Sequence, residues 1–142
     1  MRYLGLDLGS RTLGVSLSDK TGIIASSYKV IRHNEEYERL VSDVEVIVNQ
    51  ENIEKIVLGL PKNMNNTIGF KGELSYKFKD MLENKLNIEV ILVDERLTTK
   101  EATNVLLFND TSRKKRKKVV DSIAATLILQ SYLDIINSKK GE

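Results

Sequence analysis

"RYLGLDLGSRTLGVSLSD", Arg2 to Asp19, sets one carboxylate inside an apolar run and then alternates with period two. Tyr3, Leu4, Leu6 and Leu8 predict a first strand over Arg2 to Gly9, and Gly9-Ser10-Arg11 supplies its turn. Leu13, Val15 and Leu17 fall on one face of a second strand, Thr12 to Asp19. Lys20-Thr21-Gly22 then turns the chain into "IIASSYKVI" (Ile23 to Ile31), a third strand. Three strands joined by such short turns make an antiparallel meander.

Beyond the meander the period changes. "NEEYERLVSDVEVIVNQ" (Asn34 to Gln50) reads as a helix with Asn34 as N-cap and a stripe of Tyr37, Leu40, Val41, Val44 and Ile47. "IEKIVLGLP" (Ile53 to Pro61) is nearly all apolar, as expected of a strand buried on both faces. A loop over Lys62 to Gly72 leads to a helix around Glu73 to Leu86, and "IEVILVDE" (Ile88 to Glu95) is a second buried strand. Thr98 and Glu101 form a capping box that opens a further helix. Asn109, Asp110 and the six bases Arg113 to Lys118 read as a loop before a last helix carrying Val120, Ile123, Ala124, Leu127 and Ile128.

The order β-β-β-α-β-α-β-α-α predicts an α/β fold: a mixed five-stranded sheet with helices on both faces. Right-handed crossovers set the parallel strands beside the first, with the strand ending at Pro61 between the other two. Crevices in such sheets open at the carboxyl ends of the strands. Asp7, Asp94 and Glu95 are all expected there.

A carboxylate within "LGLDLG" is costly unless it is paired, metal-bound or neutralised. The bland readings are an ion pair with Arg11 for Asp7, one with Arg96 for Glu95, and a helix-dipole role in a first turn for Asp121. Each is reasonable alone, but all three would have to coincide at one end of one sheet. A shared divalent site accounts for the set. One histidine and no cysteine disfavour zinc, whereas oxygen-only ligands suit Mg²⁺ or Mn²⁺. Two such ions roughly 3.5–4 Å apart can promote phosphodiester hydrolysis. Glycines beside Asp7 would let backbone approach a ligand, and Ala124 and Ala125 would let the last helix lie close over the sheet. His33 reads as a loop or surface residue without a role.

Composition narrows the class. With 142 residues, 41% hydrophobic and 30% charged, one soluble domain spanning residues 1–142 is expected. The absence of cysteine excludes a disulfide framework and thiolate chemistry. The opening apolar run is broken at once by Asp7, unlike a signal peptide, so a cytoplasmic location and no membrane partner are expected. Net charge is only +2, from 22 Lys+Arg against 20 Asp+Glu. Positive charge is therefore local, at Arg113, Lys114, Lys115, Arg116, Lys117 and Lys118, where it forms either a solvated run or a phosphate-binding footprint. Arg11, Lys62 and Arg96 adjoin the expected site loops and are further candidate substrate contacts.

Four ordered segments, "LGLDLGSRTLGVSLSD", "VLGLPKNMNNT", "VDERLTTKEA" and "KKVVDSIAATLILQSYL", resemble the motifs of the YqgF family over nearly the whole chain. Its members are bacterial proteins described as candidate Holliday junction resolvases and as candidate nucleases maturing the 5′ end of the small-subunit rRNA precursor. The resemblance implies a ribonuclease H-like fold, a cytoplasmic location and divalent-metal-dependent phosphodiester cleavage. It carries an acidic triad onto Asp7, Glu95 and Asp121, as catalytic residues and metal ligands. One departure is visible: Asn66 stands where the family's loop usually has glycine, and asparagine tolerates the left-handed backbone that such a turn needs.

Other classes compete. The first hairpin also resembles the phosphate-binding hairpin of sugar kinases and actin-like ATPases, but those need two such domains around a cleft. A non-catalytic RNA-binding assembly factor would share the basic surface. Junction cleavage normally demands a symmetric dimer, and no obvious dimer helix is written here. The expected partner is therefore nucleic acid, rRNA precursor ahead of branched DNA, with ribosomal particles beside it and the chain a monomer or weak homodimer.

Overall fold

The meander and the crossovers build one sheet. The computed structural model describes residues 1–61, 69–94 and 113–140. Its strands are β1 (Tyr3–Leu8), β2 (Thr12–Ser18), β3 (Ala25–Arg32), β4 (Lys55–Leu60) and β5 (Val90–Asp94). Its helices are α1 (Tyr37–Glu51), α2 (Phe70–Leu86) and α3 (Arg113–Lys140). The strand order is β3-β2-β1-β4-β5. β2 pairs antiparallel with β1 and β3, whereas β4 pairs parallel with β1 and β5. β4 thus lies between the other two parallel strands, as its apolar run predicts, and all three finish at the same edge.

Side-chain alternation sorts the sheet into two faces. Leu4, Leu6, Leu13 and Val15 pack with Leu40, Val44 and Ile47 of α1 and with Phe78 and Leu82 of α2. On the opposite face Tyr3 and Val57 pack with Ile128, Leu129 and Leu133 of α3. β4 feeds both, Ile56 and Leu58 to the first and Val57 to the second, which is why its sequence shows no alternation. By the same alternation Tyr3, Gly5 and Asp7 share the α3 side of β1.

α3 lies very close to the sheet at one point. Gly5 pairs with Ser16 across β1 and β2, and Ser16 Oγ donates to the Ala125 carbonyl at 2.8 Å. A Cβ on Gly5 would stand 2.2 Å from Ser16 Oγ, 2.7 Å from Leu129 Cβ and 2.9 Å from the Ala125 carbonyl oxygen. Gly5 therefore serves helix packing rather than approach of a ligand. Ala124 and Ala125 are both buried, as their small size suggests.

Strand ends move by one or two residues, β3 beginning at Ala25 and not at Ile23, and three other boundaries change more. Asn34 does not cap α1: the helix starts at Tyr37 with Glu36 at the N-cap and no side-chain cap bond. Glu35, at φ 68°, takes the chain off the helical path between them. α2 begins at Phe70 and takes Gly72 into its first turn. The basic run Arg113 to Lys118 is not a loop but the opening of α3. Lysine and arginine are good helix formers, and no glycine or proline separates them from the apolar segment that follows. Among the described residues no helix is long and apolar enough to cross a membrane.

Candidate functional site

Asp7 is the next-to-last residue of β1 and is half-buried. It pairs with Gly14 on β2. On the other side the register of Leu6 with Leu58 brings Gly59 alongside. Both strands flanking the carboxylate therefore lack a side chain next to it, which keeps room beside it on the α3 face. Asp94 ends β5 in register with Leu60 and shares the parity of Val90 and Leu92, which pack on the α1 and α2 side. Alternation thus assigns Asp94 to the face opposite Asp7.

α3 runs antiparallel to β1. Tyr132 meets the Tyr3 ring edge-on with centroids 5.9 Å apart, and Ala125 lies over Gly5. At the far end Asn137 Nδ2 donates to the Gly22 carbonyl at 2.9 Å, while Gln130 accepts from Ala25 N–H and donates to the Ile23 carbonyl, both at 2.8 Å. These bonds fix the helix against the β2–β3 hairpin and so set its rotation. Toward lower numbers α3 advances to the carboxyl end of β1. From Ala125 to residue 121 is about 6 Å of helix rise. From Gly5 to Asp7 is about 6.6 Å of strand. Position 121, three and four places before the buried Ala124 and Ala125, continues their sheet-facing row. It is also the ninth residue of a helix that opens at Arg113, so the bland alternative for Asp121, a first-turn dipole role, does not hold.

The remaining candidates are less fully described. Lys62, Glu95 and Arg96 lie outside the described residues, as do Asn66 and the Thr98–Glu101 capping box. Asp121 and the bases Arg113 to Lys118 are described by their backbone. Among the described residues no three acidic or imidazole groups are gathered to hold a metal ion. Glu95 directly follows in sequence Asp94, the last residue of β5.

The turn after Asp7 is held from an unexpected quarter. Gly9 N–H donates to the Thr12 carbonyl at 2.8 Å, and the exposed Arg11 donates through Nη1 to Asn34 Oδ1 at 3.3 Å. His33 is not a surface residue: it is 4% exposed. Its Nε2 lies 3.0 Å from the Gly9 carbonyl and its Nδ1 accepts the Glu35 N–H at 3.0 Å. The string R-H-N-E-E reads as a polar turn, and nothing local in it signals that a second turn covers the ring. Nearby, the Asn34 N–H, with help from Arg39, holds the Glu36 carboxyl below its ordinary value.

Similarity to known proteins is extensive. The family model RuvX, described as Holliday junction resolvase, matches residues 1–135. A Bacillus subtilis (strain 168) protein named "Putative pre-16S rRNA nuclease" is 51% identical over 138 residues, covering 96% of this chain and 100% of its own. A Staphylococcus haemolyticus (strain JCSC1435) protein of the same name is 49% identical over 137 residues, covering 95% and 96%. Thermus thermophilus RuvC, solved in complex with Holliday junction substrate, superposes with a TM-score of 0.59 at 13% identity over 96% of each chain. The large terminase nuclease of the thermophilic phage G20c gives 0.57 at 8% identity, over 93% of this chain and 81% of its own. At such identities the structural likeness concerns the fold, and it agrees with the ribonuclease H-like architecture that the four motifs imply.

Proposed function

The chain belongs to the RuvX (YqgF) family of nucleases, and from that premise we propose that it hydrolyses RNA phosphodiester bonds in maturing the 5′ end of the 16S rRNA precursor. The observation that carries the proposal is the setting of Asp7. It is a half-buried carboxylate at the carboxyl end of the central parallel strands, flanked by Gly14 and Gly59, beneath a helix whose position 121 advances toward it.

In this reading Asp7, Glu95 and Asp121 hold Mg²⁺ or Mn²⁺. An all-oxygen donor set suits these hard cations. When bound, the ions supply Lewis-acid stabilisation of the charge that develops on the scissile phosphate. The chain's own residues orient and bind. Arg11 sits in the turn after β1, Lys62 and Arg96 follow the ends of β4 and β5 in sequence as further candidate contacts, and Arg113, Lys114, Lys115, Arg116, Lys117 and Lys118 would supply a cationic approach along α3. Helical spacing puts positions 114, 117, 118 and 121 on one side of α3, so the strand's phosphates would be gripped in line with the acid. Because a single cut needs no second active site, a monomer or weak homodimer suffices, working in the cytoplasm on free precursor or on ribosomal particles.

Relatives near 50% identity carry the rRNA name, whereas the junction-bound neighbour shares 13%, which favours RNA over branched DNA. The test is cleavage of an RNA spanning the 5′ precursor segment, beside a four-way DNA junction, with Mn²⁺ or with EDTA. Cleavage of the RNA that EDTA and Asp7→Asn both abolish is the expected result. Cleavage of the junction alone would make it a resolvase, and tight RNA binding without cleavage would make it an assembly factor.

A further inference from the structure

We propose that His33 is a positioning residue that, as a neutral imidazole protonated at Nε2, holds the Gly9–Arg11 turn so that Arg11 meets a substrate phosphate. The tautomer follows from its partners. The Glu35 backbone N–H can only donate, so Nδ1, 3.0 Å away, carries no proton. The Gly9 carbonyl can only accept, so Nε2, at 3.0 Å, carries the proton. The ring thus bridges the turn after Asp7 and the turn before α1, and it is buried while doing so.

Three further features tie the same two turns. His33 N–H donates to the Arg11 carbonyl at 2.9 Å, so main chain and ring together fasten both ends of Gly9–Arg11. Asn34 Oδ1 takes the Arg11 guanidinium, which adds a hold on the side chain. Glu35 sits at φ 68°, a left-handed conformation unfavourable for glutamate that persists only where its surroundings fix it. The Nδ1 bond to Glu35 N–H is one such restraint. The cation at the site edge is therefore aimed by residues of the β3–α1 turn, which do not themselves reach the substrate. This rests on the nuclease reading and on Arg11 as a phosphate contact.

Asparagine and glutamine divide the two bonds. His33→Asn keeps an acceptor near the Nδ1 position and loses the donor to Gly9, whereas His33→Gln keeps the donor. On an RNA oligonucleotide, His33→Asn should raise KM by roughly 3- to 10-fold with kcat within about twofold, as loss of one buried hydrogen bond converts. His33→Gln should restore most of that loss. In an Arg11→Ala background His33→Asn should add nothing further. Asn34→Ala, at an exposed position, should raise KM in the same sense even if His33→Asn folds poorly.

Equal losses in the Asn and Gln variants, a fall confined to kcat, or additivity with Arg11→Ala would overturn the proposal. A wild-type protein that binds the oligonucleotide without cutting it refutes the nuclease reading alone, and the same ratios are then read from Kd. One that neither binds nor cuts refutes both. The tautomer has its own readout, because His33 is the single histidine of the chain. Nitrogen-15 NMR should show one Nε2–H imidazole with a protected ring proton, and rapid averaging of two tautomers would refute the clamp whatever the activity.

Discussion

Ser16 Oγ donates a 2.8 Å hydrogen bond to the carbonyl of Ala125, so a β2 side chain grips α3 directly above Gly5. Sheet and helix approach there so closely that only the Ser16 hydroxyl and the Leu129 Cβ lie between the two backbones. Gly5→Ala should cost about 1–3 kcal/mol, because its Cβ has no space and α3 must lift. Ser16→Ala should cost about 1 kcal/mol through the missing hydrogen bond. The double variant should cost less than the sum, since removing Oγ clears the 2.2 Å approach. Urea titration of the four proteins measures this coupling, and strict additivity would contradict it. Lifting α3 also moves position 121 relative to Asp7. Gly5→Ala should therefore lose about 10²-fold in cleavage even where it is fully folded.

Asp7→Asn should abolish cleavage and leave Tm within about 4 °C of the wild type. Where carboxylates gather without metal they repel, so losing one charge does not harm the fold. Melts and Mn²⁺-dependent cleavage test this together. A large fall in Tm would instead identify Asp7 as one half of a structural ion pair.

Periodicity made much of this fold legible, and its limits lie at turns. Leu13, Val15 and Leu17 alternate with Gly14, Ser16 and Ser18 because one face of β2 packs against α1 and α2 while the other lies so close under α3 that only small residues fit, and "KIVLGL" does not alternate because β4 feeds apolar side chains to both cores. Asp7 stands out because a charge in an apolar strand demands a partner. What periodicity misses is non-local or conformational. His33 is buried because the β1–β2 turn meets the β3–α1 turn over it and the Tyr37 ring lies beside it. Asn34 has the chemistry of a cap, but Glu35 at positive φ puts it outside the helix. The basic run reads as a loop because six like charges repel in a helix, yet helix propensity and continuity with the apolar segment prevail over that repulsion. Glu95 and the Thr98–Glu101 box lie outside the described residues.

Acid should weaken the β2–β3 hairpin through Asp19. Its carboxylate accepts from the Thr21 hydroxyl and from the Ile23 and Ile24 N–H groups. These bonds, Thr21 first, lower its pKa from 3.8 to about 2. A depressed carboxylate stabilises the fold fully above the unfolded value and loses that contribution as pH falls through the folded one. The stability difference between wild type and Asp19→Ala should thus be constant above pH 5 or so and shrink between 3.8 and about 2. Melts across that range check it, and a difference that persists at the acid end would show that the turn does not depend on the charge.

Arg113 to Lys118 are helical, so their positions spread around the axis at about 100° per residue instead of forming one uniform tail. Positions 114 and 117 fall on the side of 121, whereas 115 and 116 fall away from it. Lys114→Ala with Lys117→Ala should therefore weaken RNA binding more than Lys115→Ala with Arg116→Ala, although both remove two charges. The slope of log K against log salt should shrink by roughly 0.7 for each single-strand phosphate that is no longer neutralised. Stability should stay within about 0.5 kcal/mol in both pairs, as expected if the bases serve binding and not the fold. Equal losses from the two pairs would mean that the run acts only through bulk charge. Unchanged binding in both would make it a solubility feature and leave Arg11, Lys62 and Arg96 to carry the substrate.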